Sequence, residues 1–170
     1  MNKDIMIKVA VTGLTIDPFT SMPIVILKDD KEKHTLPIWI GLIEASSIAT
    51  ELEKVELSRP MTHDLLKNIL SNIGVDVEKI TIHDLADNTF YAKIFLKRGK
   101  DSWVVDSRPS DAIALALRCE TPIYVSKSVI DKSRKIDITT TMDDTKEERR
   151  KKWAEILDNL SPEDFGKYKM

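Results

Sequence analysis

The chain has 170 residues, 42% of them hydrophobic and 32% charged, a composition that predicts one globular domain and excludes a disordered chain. Its 26 basic and 28 acidic residues nearly cancel, so any nucleic-acid binding must rely on a local patch rather than on a strongly basic surface. The single cysteine, Cys119, excludes an internal disulfide, and the apolar runs fall far short of the roughly 20 residues that span a bilayer. We therefore expect a cytoplasmic protein without a membrane-spanning segment.

The first half of the chain predicts three strands followed by two helices. Alternating or continuous apolar residues predict an antiparallel sheet whose strands are residues 5–16, 22–27 and 34–40. Apolar residues at helical spacing then predict an amphipathic helix at residues 42–55. A second helix is expected to open at Ser58-Arg59-Pro60, with Ser58 as its cap, and to end at Gly74.

The second half predicts further strands at residues 75–83, 89–97 and 102–106. Ser107-Arg108-Pro109 is expected to open a helix that runs to Arg118. A last strand at residues 122–125 is placed at a sheet edge, because proline cannot donate a hydrogen bond to a strand ladder. We expect an α+β domain over residues 1–130, with antiparallel or mixed sheets and packed helices.

Residues 131–170 are predicted to be a charged linker and a C-terminal helical tail, with an amphipathic helix at 146–160. The helix openings Ser58-Arg59-Pro60 and Ser107-Arg108-Pro109 are alike, and residues 40–48 match residues 105–113 weakly. Two explanations stay open: an internal duplication of a strand-strand-strand-helix unit, or one capping device used twice.

Polar residues concentrate at the opening of the helix that follows the strand at 102–106. The free backbone N–H groups of a helix N-terminus hold anions, Arg108 can clamp a phosphate, and Ser107 and Ser110 add hydroxyl groups. The alternative is structural: Ser107 caps the helix, Asp111 complements its dipole and Arg108 pairs with Asp106.

Two further clusters contain histidine. At the opening of the preceding helix, His63 suits a general base, Asp64 a cation ligand and Arg59 a phosphate contact, although a solvated first turn explains the same residues. His83 begins the cluster at 83–88, where aspartate and asparagine are also ordinary turn residues. The three clusters together contain what metal-assisted phosphodiester cleavage requires: carboxylates for a hard cation, a base for water and an arginine for developing negative charge.

Four ordered segments of the chain resemble the bacterial bifunctional nuclease family, over about residues 5–130 and more loosely in the tail. These segments are Leu36-Pro37-Ile38-Trp39-Ile40-Gly41, Arg59-Pro60-Met61-Thr62-His63-Asp64-Leu65, His83-Asp84-Leu85-Ala86-Asp87-Asn88-Thr89-Phe90-Tyr91-Ala92 and Asp106-Ser107-Arg108-Pro109-Ser110-Asp111-Ala112-Ile113. The resemblance implies a compact α+β domain, oligomeric, in a family named for DNase and RNase activity attributed to some members.

We therefore expect a nuclease that cleaves DNA or RNA with Mg²⁺ or Mn²⁺ and without an organic cofactor. The candidate catalytic residues are His63, Asp64, His83, Asp106 and Asp111. Asp64, Asp106 and Asp111 are also the candidate metal ligands. The candidate substrate-binding residues are Arg59, Arg108, Ser107 and Ser110. A homo-oligomer is expected, most simply a dimer.

Two other functions fit the same residues. A non-catalytic oligomeric binding or regulatory protein is favoured by the slightly acidic charge balance. Nucleic-acid binding that weakens steeply with salt would count against that alternative. A small-molecule phosphohydrolase would act on phosphomonoesters but not on polymers.

Overall fold

The computed structural model describes residues 4–31 and 33–133. The helices and strands follow one another as β1 (Met6–Ile16), β2 (Pro23–Asp29), β3 (Thr35–Trp39), α1 (Leu42–Leu52), α2 (Thr62–Asn72), β4 (Asp76–Ala86), β5 (Thr89–Arg98), β6 (Asp101–Ser107), α3 (Pro109–Cys119), β7 (Ile123–Ser126) and α4 (Lys127–Ser133). No helix in these ranges is long and apolar enough to cross a membrane.

The described strands form one seven-stranded sheet in the order β3-β2-β1-β7-β4-β5-β6. Every neighbouring pair is antiparallel except β4 and β7, which are parallel. The expected α+β class with a mixed sheet is confirmed, and so is the antiparallel arrangement of the first three strands. The internal duplication stays a prediction.

The predicted edge position of the last strand is wrong. β7 lies between β1 and β4, near the middle of the sheet. Pro122 precedes the strand, so its missing N–H falls outside the ladder, while its carbonyl oxygen accepts a hydrogen bond from the Ile80 N–H at 3.1 Å. A proline at the boundary of a central strand therefore costs no ladder hydrogen bond.

β4 continues three residues beyond its predicted end at residue 83. Its connection to β5 is the pair Asp87 and Asn88, both with positive φ values of 48° and 58°. Aspartate and asparagine tolerate this left-handed conformation, which two-residue hairpin turns require. His83 and Asp84 consequently lie in a strand and not in a turn.

The two helix openings differ from each other and from the predicted caps. α2 begins at Thr62 with Met61 as the capping residue, so Ser58 does not cap it and Pro60 lies outside the helix. α3 begins with Pro109 as expected, but Arg108 is its capping residue. The Ser107 hydroxyl donates to the Arg108 carbonyl oxygen at 2.9 Å, so it does not cap the helix as predicted.

The core lies between the sheet and the helices that cover it. α3 contributes most to it: Ala112, Ile113 and Leu115 are buried against β4, β5 and the neighbouring helices. α4 is a helix that the sequence pattern did not reveal, and its Val129 and Ile130 are completely buried. α4 runs three residues past the predicted boundary at residue 130, and its last residue, Ser133, is buried as well. The rest of the predicted linker and the predicted helix at 146–160 lie outside the described residues, and the domain boundary at 130 stays a prediction.

Candidate active site

Three helices bring the candidate residues together. α3 packs against both α1 and α2. The openings of α2 and α3 meet the first half of α1, at Ser47 and at Glu44. His63 is the second residue of α2, and Asp111 lies in the first turn of α3. The site therefore combines residues that are 48 positions apart in the sequence.

His63 is the centre of the site, and its side chain is only 14% exposed. Its Nε2 lies 3.0 Å from Asp111 Oδ1, and its Nδ1 lies 2.8 Å from Ser47 Oγ. An ionised carboxylate can only accept, so the hydrogen-bond network assigns the ring proton to Nε2. The neutral ring then accepts the Ser47 hydroxyl proton at Nδ1. The resulting order serine, histidine, aspartate is that of a nucleophile, its base and the group that orients the base.

Arg108 completes the cluster from the opening of α3. Its Nε donates to Asp111 Oδ2 at 2.7 Å, and its Nη1 donates to Glu44 Oε1 of α1, also at 2.7 Å. The predicted pairing of Arg108 with Asp106 is therefore wrong. The Arg108 side chain remains 64% exposed, so it can meet a ligand from solution.

Gly41, which caps α1, explains part of this arrangement. Its φ of −72° suits any residue, so backbone conformation does not require glycine there. A Cβ at this position would overlap the Glu44 carboxylate. Glycine therefore leaves the space in which Glu44 turns towards Arg108.

The charges of the cluster stabilise one another. Burial by itself raises the pKa of Asp111, but the hydrogen bonds from Arg108 and His63 outweigh that effect and hold the pKa below its ordinary value. The hydrogen bond to Asp111 raises the pKa of Arg108. Asp111 is therefore an anion at neutral pH, as a group that orients a histidine base must be.

A second ion pair lies beside the first. Asp64 accepts from Arg118 Nε at 2.6 Å and from the Met61 backbone N–H at 2.9 Å. The Arg118 side chain is only 2% exposed and also donates to the Ala114 carbonyl oxygen at 3.0 Å. Burial raises the pKa of Asp64, but the bond from Arg118 and the backbone bond lower it below the ordinary value. This pair and Arg59 line a cavity of about 250 Å³.

His83 and Asp106 lie on β4 and β6 and do not take part in the contacts of this cluster among the described residues. His83 Nδ1 is buried and has no hydrogen-bond partner among the described residues. Burial lowers the pKa of His83, and the nearby charge of Lys93 lowers it further. Asp106 is exposed and pairs across the strands with Lys93. No hydrogen bond or ion pair in the described ranges joins His83 or Asp106 to His63.

The two serines of the α3 opening are differently placed. Ser110 is buried within α3, and Ser107 is half-buried with its hydroxyl on the Arg108 carbonyl oxygen. Their predicted contact with a substrate stays a prediction.

Comparisons with known proteins identify the family of this chain. The model of the bifunctional nuclease domain family matches residues 25–137, most of the chain. The chain belongs to the bifunctional nuclease domain family. An uncharacterized protein of Mycobacterium tuberculosis is 35% identical over 165 residues, which are 93% of this chain and 97% of that protein.

Longer plant proteins match through the same domain. Bifunctional nuclease 1 of Arabidopsis thaliana is 30% identical over 119 residues, 68% of this chain and 37% of that protein. Bifunctional nuclease 2 of Oryza sativa subsp. japonica is 28% identical over 121 residues, 69% of this chain and 37% of that protein. The matched residues of the family include the whole cluster around His63.

The predicted metal ligands do not fit a metal site. Asp64 of α2 is bound by Arg118, and Asp111 of α3 is bound by Arg108 and His63. Asp106 lies on β6 and makes no contact with either of them among the described hydrogen bonds and ion pairs. Within residues 4–31 and 33–133, no group of three His, Cys, Asp or Glu side chains is arranged to hold a metal ion. We therefore assign no chemical step to a metal ion, and the use of Mg²⁺ or Mn²⁺ stays a prediction.

Sequence reasoning missed three residues of the site: Glu44, Ser47 and Arg118. Glu44 and Ser47 are three positions apart and therefore lie on one face of α1. That polar face was the available signal. Arg118 follows an alanine-rich apolar run and has no acidic residue three or four positions away, which indicates a partner elsewhere in the fold.

Proposed function

We propose that this protein hydrolyses phosphodiester bonds of DNA or RNA at the cluster of His63, Asp111 and Arg108. The observation that carries the proposal is the geometry of His63, which is held between the Ser47 hydroxyl and the Asp111 carboxylate beside an exposed guanidinium. Membership of a family named for nuclease activity supports the same substrate class.

Each residue has a role that follows from its contacts. His63 removes a proton from the attacking hydroxyl group and returns it to the leaving oxygen. Asp111 keeps the ring in the tautomer with Nδ1 free to accept. Arg108 uses Nε and Nη1 for its two carboxylates, and we assign its Nη2 to a substrate phosphate because the side chain as a whole is largely exposed.

The non-catalytic binding protein remains the second candidate because of one observation. Arg108 is shared by two carboxylates, Glu44 and Asp111, so the local charge is negative by about one unit before a phosphate arrives. A negative site weakens the binding of a polyanion. The divalent cation expected from the sequence belongs to the nuclease proposal, and the following experiment tests it. The cytoplasmic location stays a prediction.

The test is cleavage of single-stranded and duplex DNA and RNA by the purified full chain, with Mg²⁺, with Mn²⁺ and with a chelator. Asp111→Asn keeps the shape of the side chain but no longer orients His63 as an anion, so we expect cleavage to fall by about 10²–10⁴-fold. Asp76→Asn is the matched control, since Asp76 is an exposed carboxylate at the start of β4.

The outcomes separate the candidates. Loss of cleavage in Asp111→Asn alone supports the nuclease and its site. Equal cleavage by all three proteins would indicate a contaminating nuclease or a different site, and absence of cleavage in all three would favour the binding protein. Activity that survives the chelator would contradict the predicted cation.

A further inference from the structure

The hydrogen bonds of His63 identify the group from which it can take a proton. Nε2 is occupied by Asp111 and Nδ1 by Ser47, so neither ring nitrogen is available to a water molecule. We infer that Ser47 is the nucleophile of this site and that the reaction proceeds through a covalent phosphoserine diester. This inference rests on the proposed function and names the attacking atom, Ser47 Oγ.

The surroundings of Ser47 suit that role. Ser47 lies one helical turn after Glu44, whose carboxylate holds Arg108. A phosphate that meets Arg108 would therefore lie near the Ser47 hydroxyl. Ser47 is half-buried and not enclosed in the core, unlike Ser46 beside it.

The neighbouring serine provides a contrast. Ser46 is buried, and its hydroxyl donates to the Ile43 carbonyl oxygen at 2.7 Å. That hydrogen bond joins the Ser46 hydroxyl to the backbone of its own helix, and its acceptor is not a titratable group. Ser47 instead donates to a histidine that an aspartate orients.

The reaction balances without an added oxidant or co-reactant. Ser47 Oγ attacks phosphorus and its proton moves to His63 Nδ1. The bond from phosphorus to the leaving sugar oxygen breaks, and that oxygen takes the proton from His63. Water then attacks the phosphoserine and gives a proton to His63. The bond from phosphorus to Ser47 Oγ breaks, and the proton returns to the serine.

The test uses a fluorophosphonate, a reagent that reports an activated serine without any nucleic acid. The full chain is incubated with it, and the modified peptide is identified by mass spectrometry. Ser47 Oγ should displace fluoride and carry one phosphonyl adduct. We expect the labelling rate to fall by about 10²–10⁴-fold in His63→Ala, since the base is lost. No adduct should form at position 47 in Ser47→Ala.

Ser46→Ala is the matched control and should label at the wild-type rate, with its fold checked by circular dichroism. An unlabelled wild-type protein, or labelling of Ser47 that persists in His63→Ala, would overturn the inference. Cleavage of nucleic acid without labelling would exclude Ser47 as the nucleophile but would still agree with the proposed nuclease. Labelling without cleavage of any nucleic acid would show that Ser47 is activated but would contradict the proposed nuclease.

A separate observation concerns the two edges of the sheet. At the β3 edge, Leu36, Pro37 and Ile38 are buried. At the β6 edge, every residue except Ser107 is exposed, including Trp103, Val104 and Val105. No described strand covers the outer side of β6. A strand edge with exposed apolar side chains and unpaired backbone groups is a template for another strand.

The geometry points to a second copy of this chain as the occupant, paired antiparallel along β6 about a two-fold axis at Val104. This register places Trp103 opposite Val105 of the partner subunit, an aromatic and β-branched pair of the kind that stabilises sheets. Asp106 then faces Ser102 of the partner subunit. Shifting the axis to lie between Trp103 and Val104 would set Asp101 against Asp106 of the partner subunit, where like charges repel. Of these two registers, the one centred on Val104 avoids the repulsion between the aspartates.

Disulfide trapping tests both the surface and the register, in a Cys119→Ala background because Cys119 is the native thiol. Val104→Cys should form a covalent dimer, since residues facing each other across a two-fold axis have Cα atoms about 4.5–5.5 Å apart. Ser102→Cys is the matched control on the same strand. Its two copies would lie about 14 Å apart along the strands and should not be linked.

The molar mass of the full chain in solution provides the second measurement. We expect a dimer that Val104→Lys dissociates, because the two lysines would face each other, and that Ile69→Lys on α2 leaves intact. A monomeric wild-type protein would overturn the β6 dimer. A dimer that survives Val104→Lys would also overturn it, and dissociation by Ile69→Lys would then identify the α2 face as the interface.

Discussion

α2 and α3 have the same length of 11 residues and similar sequences at their openings, yet their surroundings are opposite. Eight residues of α3 are buried, whereas no residue of α2 is. The apolar face predicted for α2 exists, but Leu65, Ile69 and Ile73 are about half exposed. α3 is therefore anchored in the core, whereas α2 packs against it with side chains that are at most partly buried, such as Leu70.

This difference matters for the site because the site joins the two helices. Asp111 and Arg118 come from the anchored helix, and His63 and Asp64 come from the exposed one. A helix with few buried side chains opens locally at a lower free energy than a core helix does. The position of the histidine base therefore depends on the two polar contacts as well as on packing.

The largest difference should appear when one apolar side chain is truncated in each helix. Ile113 of α3 is completely buried, so Ile113→Ala should lower the free energy of unfolding by about 2–5 kcal/mol. Leu65 of α2 is 53% exposed, and Leu65→Ala should cost well under half as much. Urea unfolding of both variants measures the difference. Equal losses would show that α2 is as firmly packed as α3.

The next largest effect is expected at the Asp64–Arg118 ion pair. Asp64→Asn leaves a buried guanidinium without its carboxylate, which should cost about 1–3 kcal/mol. Replacing both residues, as Asp64→Asn with Arg118→Met, removes the unpaired charge and should recover part of that loss. The double-mutant cycle is measured by urea unfolding. A double variant as unstable as the sum of the two single variants would contradict the coupling.

A pH dependence should follow from the same contacts. The folded-state pKa values of Asp64 and Asp111 lie below the ordinary value of 3.8, so the folded protein binds fewer protons than the unfolded chain. Their contribution is fully present above that value and is lost as the pH falls through the folded pKa values. Unfolding midpoints measured from neutral pH to about pH 3 should fall less in Asp64→Asn with Asp111→Asn than in the wild type. Parallel curves would contradict this assignment.

The smallest effect is expected on the exposed face of α2. Ile69→Glu should change the free energy of unfolding by no more than about 0.5 kcal/mol, because this side chain is nearly half exposed. Thermal unfolding of Ile69→Glu is measured beside that of Ile113→Ala, whose larger loss of stability serves as the reference. A loss comparable with that of Ile113→Ala would show that another part of the protein or another copy covers this face.

Much of the site was predictable from residue type and position. His63, Arg108 and Asp111 stand in helix openings, where polar side chains are expected and functional groups are often held. Ser47 and Glu44 were missed because a helix interior with scattered polar residues resembles any solvated face. Asp106 was included because it shares a short segment with Arg108 and Asp111, and His83 was included for its residue type. No hydrogen bond or ion pair among the described residues joins either of them to His63.

Local patterns in the sequence determined the elements themselves: the period of apolar residues predicted β1 to β3, α1, α2 and α3 within a few residues. They failed where the prediction rested on a single residue. Pro122 was taken to place β7 at a sheet edge, and Ser58 was taken as the cap of α2. The tertiary structure alone decided which faces are covered and which polar groups meet. Contacts such as His63 with Asp111 close a loop of dozens of residues, and their geometry depends on how α2 and α3 pack, which no local pattern encodes.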